Sequence, residues 1–197
     1  MNFIKIAAIV LLFLTPVQDA ASEIGGVAAV NERMDGTSTA FQRRTLVVAD
    51  RVLQDEQIET TDLGLGQLIF LDQTSLTVAP NSDLVLDKYV FDPDLDQGQI
   101  LFSMTRGAVR LIGGRITKKV DGVLRSPLAT IGIRGGMVAV LVADDETTTV
   151  IMLAGEYAKV TDIHGKTIIL SRSNAMAKIT RENGVVFAGL ISRDLLD

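Results

Sequence analysis

No cysteine occurs in the 197 residues, which removes disulfide frameworks, thiol nucleophiles, thiol redox chemistry and cysteine-ligated zinc. Tryptophan is also missing, and histidine occurs once, so a metal site built from histidines is out of reach. The only phenols are Tyr89 and Tyr157, leaving few rings on which single-stranded bases could stack. Positive charge is short as well: 19 Lys and Arg face 24 Asp and Glu, and a net charge of −5 offers no footprint for nucleic acid. With 4 prolines, the chain has no linker rich in Pro or Ser, no low-complexity tract and no strong internal repeat at which to divide it. Apolar residues are plentiful, at 47% against 22% charged, so the chain reads as globular, with a core that must hold without covalent staples.

The first apolar run extends from Ile6 through Leu14, behind Lys5, and is broken by Thr15 and Pro16. A helix crossing a bilayer needs about 20 apolar residues; this shorter run has the form of a signal-peptide core. Ala20 and Ser22 supply small residues for a cleavage site, so residues 1–22 are expected to form a signal helix that is removed, making Glu23 the new terminus. An uncleaved anchor is the alternative, and it would span poorly. About 175 residues then remain, one domain rather than two. No transmembrane helix is expected after cleavage, and the destination is outside the cytoplasm: periplasm, cell surface or medium.

Beyond Gly25-Gly26 the dominant period is two. Ile100, Phe102 and Met104 alternate with Leu101, Ser103 and Thr105, and Val138, Val140 and Val142 fall on one parity. Breakers recur at Asp35-Gly36, Pro80-Asn81, Gly113-Gly114, Asp121-Gly122, His164-Gly165 and Asn183-Gly184, the spacing of many short strands. The fold class is all-β, a single domain built as a β-solenoid, roll or sandwich, with short loops favouring pairing between sequence neighbours. Glu32 to Thr39, polar and glycine-containing, is expected to be a mobile loop or edge excursion. Asp144-Asp145-Glu146, between two apolar runs, reads as the acidic tip of a hairpin.

Three segments together resemble the FecR domain of bacterial envelope proteins, over about Leu46 to Val142, with additional strands after it. The opening is Val48-Ala49-Asp50-Arg51-Val52 followed by Asp55, Ile58 and Thr60. Next, Leu68 to Ser82 is similar to the family's strand, tight turn, strand and Pro-Asn-Ser pattern; here Asp72 can accept from backbone N–H groups in the turn and Pro80 ends the second strand. The most specific segment is Ser126 to Gly136, similar to the family signature Thr-Pro-x-Ala-x-x-Gly-x-Arg-Gly-Thr through Pro127, Ala129, Gly132, Arg134 and Gly135. Gly132 and Gly135 would allow positive φ or close backbone approach, and the Arg134 fork would pin nearby carbonyls. Gly136 stands where the family has threonine, Ser126 where it also has threonine, and Gln73 where the turn has glycine. The resemblance implies a periplasmic β-domain that relays a signal from an outer-membrane receptor. An N-terminus devoted to export leaves no place for the cytoplasmic anti-sigma segment of the signalling relatives.

Asp92, Asp94 and Asp96 alternate as at the start of a calcium loop, but Gln97 stands where that loop needs glycine and Ser103 where it needs a bidentate glutamate; a solvated turn, with no metal, is expected. Arg106, Arg110, Arg115, Lys118 and Lys119, with Arg125 beyond them, form a candidate basic docking patch for acidic partners or phosphate-bearing headgroups. His164 would be needed by any Ser-His-Asp mechanism, yet it sits in a turn and no nucleophile elbow accompanies it. The Asp144–Asp145 pair on a solvated tip is poorly placed for acid–base work. The function expected is therefore non-enzymatic and without cofactor: an exported FecR-like module binding a protein or envelope partner in signalling. The alternative is a structural envelope or matrix component that self-associates through β edges.

Overall fold

A computed structural model describes residues 22–143 and 147–191. The expected signal segment, apart from Ser22, and the expected acidic tip Asp144-Asp145-Glu146 lie outside the described residues.

Among the described residues, fifteen strands form one hydrogen-bonded sheet. In chain order they are β1 (Glu23–Asn31), β2 (Met34–Thr37), β3 (Arg44–Thr45), β4 (Arg51–Leu53), β5 (Gln57–Thr60), β6 (Leu65–Phe70), β7 (Ser75–Val78), β8 (Asp83–Asp92) and β9 (Gln97–Ile112). A 3-10 turn, Ile116–Lys118, leads to β10 (Gly122–Arg125), β11 (Ala129–Val142), β12 (Thr148–Asp162), β13 (Thr167–Leu170), β14 (Ala175–Thr180) and β15 (Gly184–Leu190). The all-β expectation holds, in the roll or sandwich form.

Three long strands, β9, β11 and β12, serve both halves of the sheet. Their far ends belong to the order β15-β14-β12-β11-β9-β7-β6-β1-β4, the first layer. Their near ends belong to β13-β12-β11-β10-β9-β8-β5-β2-β3, the second layer. In the first layer β9 pairs directly with β11 through Gly107–Ile112, whereas in the second β10 enters between them, parallel to β9 at Leu101–Ser103. That inserted strand belongs to the second layer alone. The shared strands change layer at glycines: Gly107 (φ 87°) in β9 and Gly155 (φ 117°) in β12 occupy backbone conformations that a side chain would strain.

The two layers face each other across the core. Phe70 of the first layer stacks on Phe102 and Tyr89 of the second, with centroids 4.9 and 5.5 Å apart. Met34 of β2 packs against the bare Cα of Gly66 in β6. Strand alternation accounts for the packing: Val109 and Leu111, Val138 and Val140, Val150 and Met152 all turn to one buried cluster.

One sequence expectation needs correction here. Glu32 to Thr39 is not a loop: Met34–Thr37 is β2, with Met34, Asp35 and Gly36 buried. The buried Asp35 carboxylate accepts from Arg33 Nε (3.0 Å), Arg43 Nη2 (2.9 Å) and Thr45 Oγ1 (3.0 Å). Burial pushes its pKa up, and those donors outweigh it, leaving the value below the usual carboxylate range. A polar stretch reads as loop until a tertiary partner neutralises it. Sequence neighbours make most of the pairings, as expected, and distant pairs complete the sheet: β1 pairs with β4 and β6, and β12 with β14 as well as β13.

The layers are clasped at one end by Asp162, at the close of β12. Its carboxylate accepts from Val185 N in β15 (2.8 Å) and from His164 N (2.9 Å) and Lys166 N (3.0 Å) of its own turn. These backbone N–H groups, Val185 first, hold its pKa below the ordinary 3.8 against the opposing effect of burial. A depressed carboxylate contributes stability that is present above its unfolded pKa and lost as pH falls through the folded one. The melting temperature is expected to fall more steeply from about pH 4 to pH 2 in the native chain than in Asp162→Asn. Parallel Tm–pH curves for the two proteins would contradict the clasp.

Candidate functional site

The signature segment forms the β10–β11 hairpin and the strand that follows. Ser126 N bonds Ala129 O (2.8 Å), and Ser126 Oγ accepts from Ala129 N (3.1 Å) and lies 3.0 Å from Thr148 Oγ1, so Ser126 supplies the hydroxyl of the family's threonine. Pro127 sits in this turn and Ala129 opens β11, buried. Arg134 does not grip carbonyls: its Nε (2.9 Å) and Nη2 (2.8 Å) both reach Asp121 Oδ1. Tyr157 donates to the same oxygen at 2.9 Å, and the guanidinium lies 5.8 Å from the Tyr157 ring centroid. The Asp121 hydrogen bond raises the pKa of both Arg134 and Tyr157. Gly132 stays out of the positive-φ region; a Cβ there would meet Asp121 Oδ2 at 3.2 Å, so its role is close approach. Gly135 has φ 45°. The signature thus builds a latch that holds the loop before β10 onto β11.

The candidate basic patch divides. Arg115 pairs with Asp96, donates to Pro93 O (2.7 Å) and covers the Phe91 ring, while Lys119 Nζ donates to Leu95 O (2.8 Å). These two cations hold down the β8–β9 turn that contains the three alternating carboxylates. Asp92 Oδ1 accepts from Asp94 N (2.9 Å) and Leu95 N (3.2 Å), an Asx turn. No group of three metal-ligating side chains forms among the described residues. Arg106 stands elsewhere, opposite Asp83 across β8 and β9, and Lys118 is exposed on the 3-10 turn. Arg110 projects from the middle of the first layer, between Thr77 and Ala139.

Sequence reasoning found half of the Asp72 turn. Asp72 accepts from Thr74 N (3.0 Å) and Thr74 Oγ1 (2.8 Å), as the turn requires. It also accepts from Tyr89 OH (3.1 Å) and from Ile116 N (3.1 Å), and all of these groups are buried. Burial beside Asp72 pushes the Tyr89 phenol well above its ordinary pKa. Gln73, in the place of the family's glycine, adopts φ 70°.

The open edges were foreseen only in general terms. Among the described residues β15 pairs with β14 alone, and its sequence Gly-Val-Val-Phe-Ala-Gly-Leu carries no charge. Phe187 at its centre is 60% exposed and borders a shallow groove of about 180 Å³ with Ile169, Leu170, Ser171, Arg172 and Ala175. The single histidine places Nε2 3.2 Å from Arg181 O, in a turn. No helix among the described residues is long and apolar enough to cross a membrane.

Among solved structures, the chain is similar to two crystal structures of a candidate anti-sigma factor from Parabacteroides distasonis ATCC 8503. Identity is 18% and 17% and the TM-score 0.58 and 0.57, with 71% of this chain and 62% of that one covered in both cases. The likeness is one of fold, and the chain spans less than two thirds of the length of that protein. No curated protein matches the sequence. A family model described as FecR protein matches residues 56–157, starting after Leu46 and running past Val142 into β12. With more than half of the chain matched, and with the Arg134 latch and the Asp72 turn inside the match, the chain belongs to the FecR family.

Proposed function

We propose that this chain is a non-enzymatic, exported envelope module that takes part in signalling by capturing an extended segment of a partner protein on its β15 edge. The observation that carries the reading is the open, uncharged strand Gly184–Leu190 with Phe187 exposed beside a groove. Edge strands of monomeric proteins are ordinarily blunted by charge or proline, and strand addition uses edges that are not. Family membership supports the signalling role, and so does the fold shared with a candidate anti-sigma factor. Arg134, the arginine of the family signature, is held by Asp121, so the edge is the better candidate for recognition. A non-enzymatic role is supported by the setting of His164 and by carboxylates engaged in turns and clasps.

Phe187→Lys is expected to keep the fold and reduce recovery of a cross-linked partner from envelope extract at least tenfold relative to the native chain. Equal recovery would sink the edge reading. The same uncharged strand also suits self-pairing, so recovery of copies of this chain alone would favour the structural alternative.

A further inference from the structure

In an antiparallel sheet with one face on the core, the other face is ordinarily polar. The first layer departs from this. Its outward side chains, traced through the strand registers, form three rows. The middle row is Gln67, Thr77, Arg110, Ala139, Ile151 and Met176. On one side run Ile69, Ser75, Ile112 and Met137. On the other run Ala108, Leu141, Thr149, Lys178 and Val186. Ile69 and Leu141 are each 45% exposed and Val186 is 41% exposed. The sequence has the same character: Met137 to Val142 and Val150 to Leu153 are apolar at every position, the pattern of strands covered on both faces.

The charges on these rows select the occupant. They are Arg110 and Lys178, with no carboxylate among them, in a chain whose net charge is −5. A second copy stacked face to face would bring only cations to the contact. A lipid surface is poorly matched too, because the rows hold neither Trp nor Tyr to anchor at headgroups, and their two cations are fewer than the clusters of about 4–8 that read anionic lipid. A helix with an apolar stripe and acidic flanks satisfies both features. The six strands from β6 to β14 span about 24 Å at ~4.8 Å per strand, the length of a helix of about 16 residues.

We propose that this face docks an amphipathic helix of a partner protein, its apolar stripe covering Ile112, Met137 and Ile151 and its carboxylates meeting Arg110 and Lys178. The site uses the outer face of the first layer, to which β15 contributes Val186, whereas Phe187 has the opposite parity and pairs with the buried Ala177, so Phe187→Lys is expected to leave it intact.

The test uses the full chain and a synthetic helix of about 18 residues, with a leucine stripe, glutamate flanks and one tryptophan. Because the chain itself has no tryptophan, peptide fluorescence reports binding alone. The glutamate peptide is expected to bind saturably, and its lysine counterpart at least tenfold more weakly. Arg110→Glu is expected to weaken the glutamate peptide at least tenfold with an unchanged melting curve; Arg110→Gln is a milder check, and Ile151→Asp should also reduce binding. Equal affinity for the two peptides, or no effect of Arg110→Glu, overturns the proposal. So does Arg110-dependent co-sedimentation with phosphatidylethanolamine–phosphatidylglycerol vesicles in place of peptide binding. A dimer of this chain that Ile151→Asp dissociates, seen by analytical ultracentrifugation, overturns it as well.

Discussion

Asp72→Ala is expected to lower the melting temperature by roughly 10–15 °C, measured by circular dichroism at neutral pH. The side chain ties three parts of the chain together: the β6–β7 turn through Thr74, β8 through Tyr89 and the 3-10 turn through Ile116. Alanine leaves the N–H groups of Thr74 and Ile116 buried without acceptors, at about 1–3 kcal/mol for each unsatisfied group. It also removes the acceptor of two buried hydroxyls, bringing the expected loss to roughly 3–5 kcal/mol. In a domain of this size each kcal/mol corresponds to about 2–4 °C. Asp72→Asn keeps one acceptor oxygen but turns an N–H₂ toward donors, and should fall between. A shift below about 3 °C for alanine would mean that water replaces the carboxylate, contrary to its burial.

Restoring the family's threonine at position 136 is expected to be at least as damaging. Gly136 and Gly155 face each other where β11 and β12 pass from one layer to the other. A Cβ on Gly136 would be driven into the Ala154 carbonyl oxygen and would stand 2.8 Å from the Gly155 Cα, backbone that cannot swing aside as a side chain could. We expect Gly136→Thr to lose about 4 kcal/mol or more, read as a reduced urea midpoint or as insoluble expression. Ser126→Thr, the other departure from the signature, keeps the hydroxyl that caps Ala129 N and should change stability by less than about 1 kcal/mol. If Gly136→Thr unfolded at the native urea concentration, the glycine pair would not be what sets the strand spacing. Gly136 is therefore the partner of Gly155 in a close crossing, a role invisible without knowing which strand lies opposite.

Much of the local structure was legible in the residues themselves. Alternation at Ile100, Phe102 and Met104 marked the inward face of β9, and all three are buried. Asp72 marked a turn because a short carboxylate reaches N–H groups two residues on, a contact that depends on nothing distant. The signature around Arg134 marked the family. It could not show that Arg134 meets Asp121, because the latch depends on how the loop before β10 returns to β11.

By itself, then, the sequence determined the all-β class, the inward parity of β9 and β11 and the Asp72 turn, since period two and side-chain-to-backbone bonds act within a few residues; the Asp35-Gly36 pair, which reads as a breaker, lies inside β2. Only the tertiary structure decided which strands are shared between layers, that β10 enters parallel beside β9, that Glu32 to Thr39 contains a buried strand, and that, among the described residues, an apolar outer face stays uncovered. Parity tells which way a side chain points, not what lies opposite. The run Met137 to Val142 reads the same whether its second face meets core, partner or water, and only the folded neighbours distinguish them.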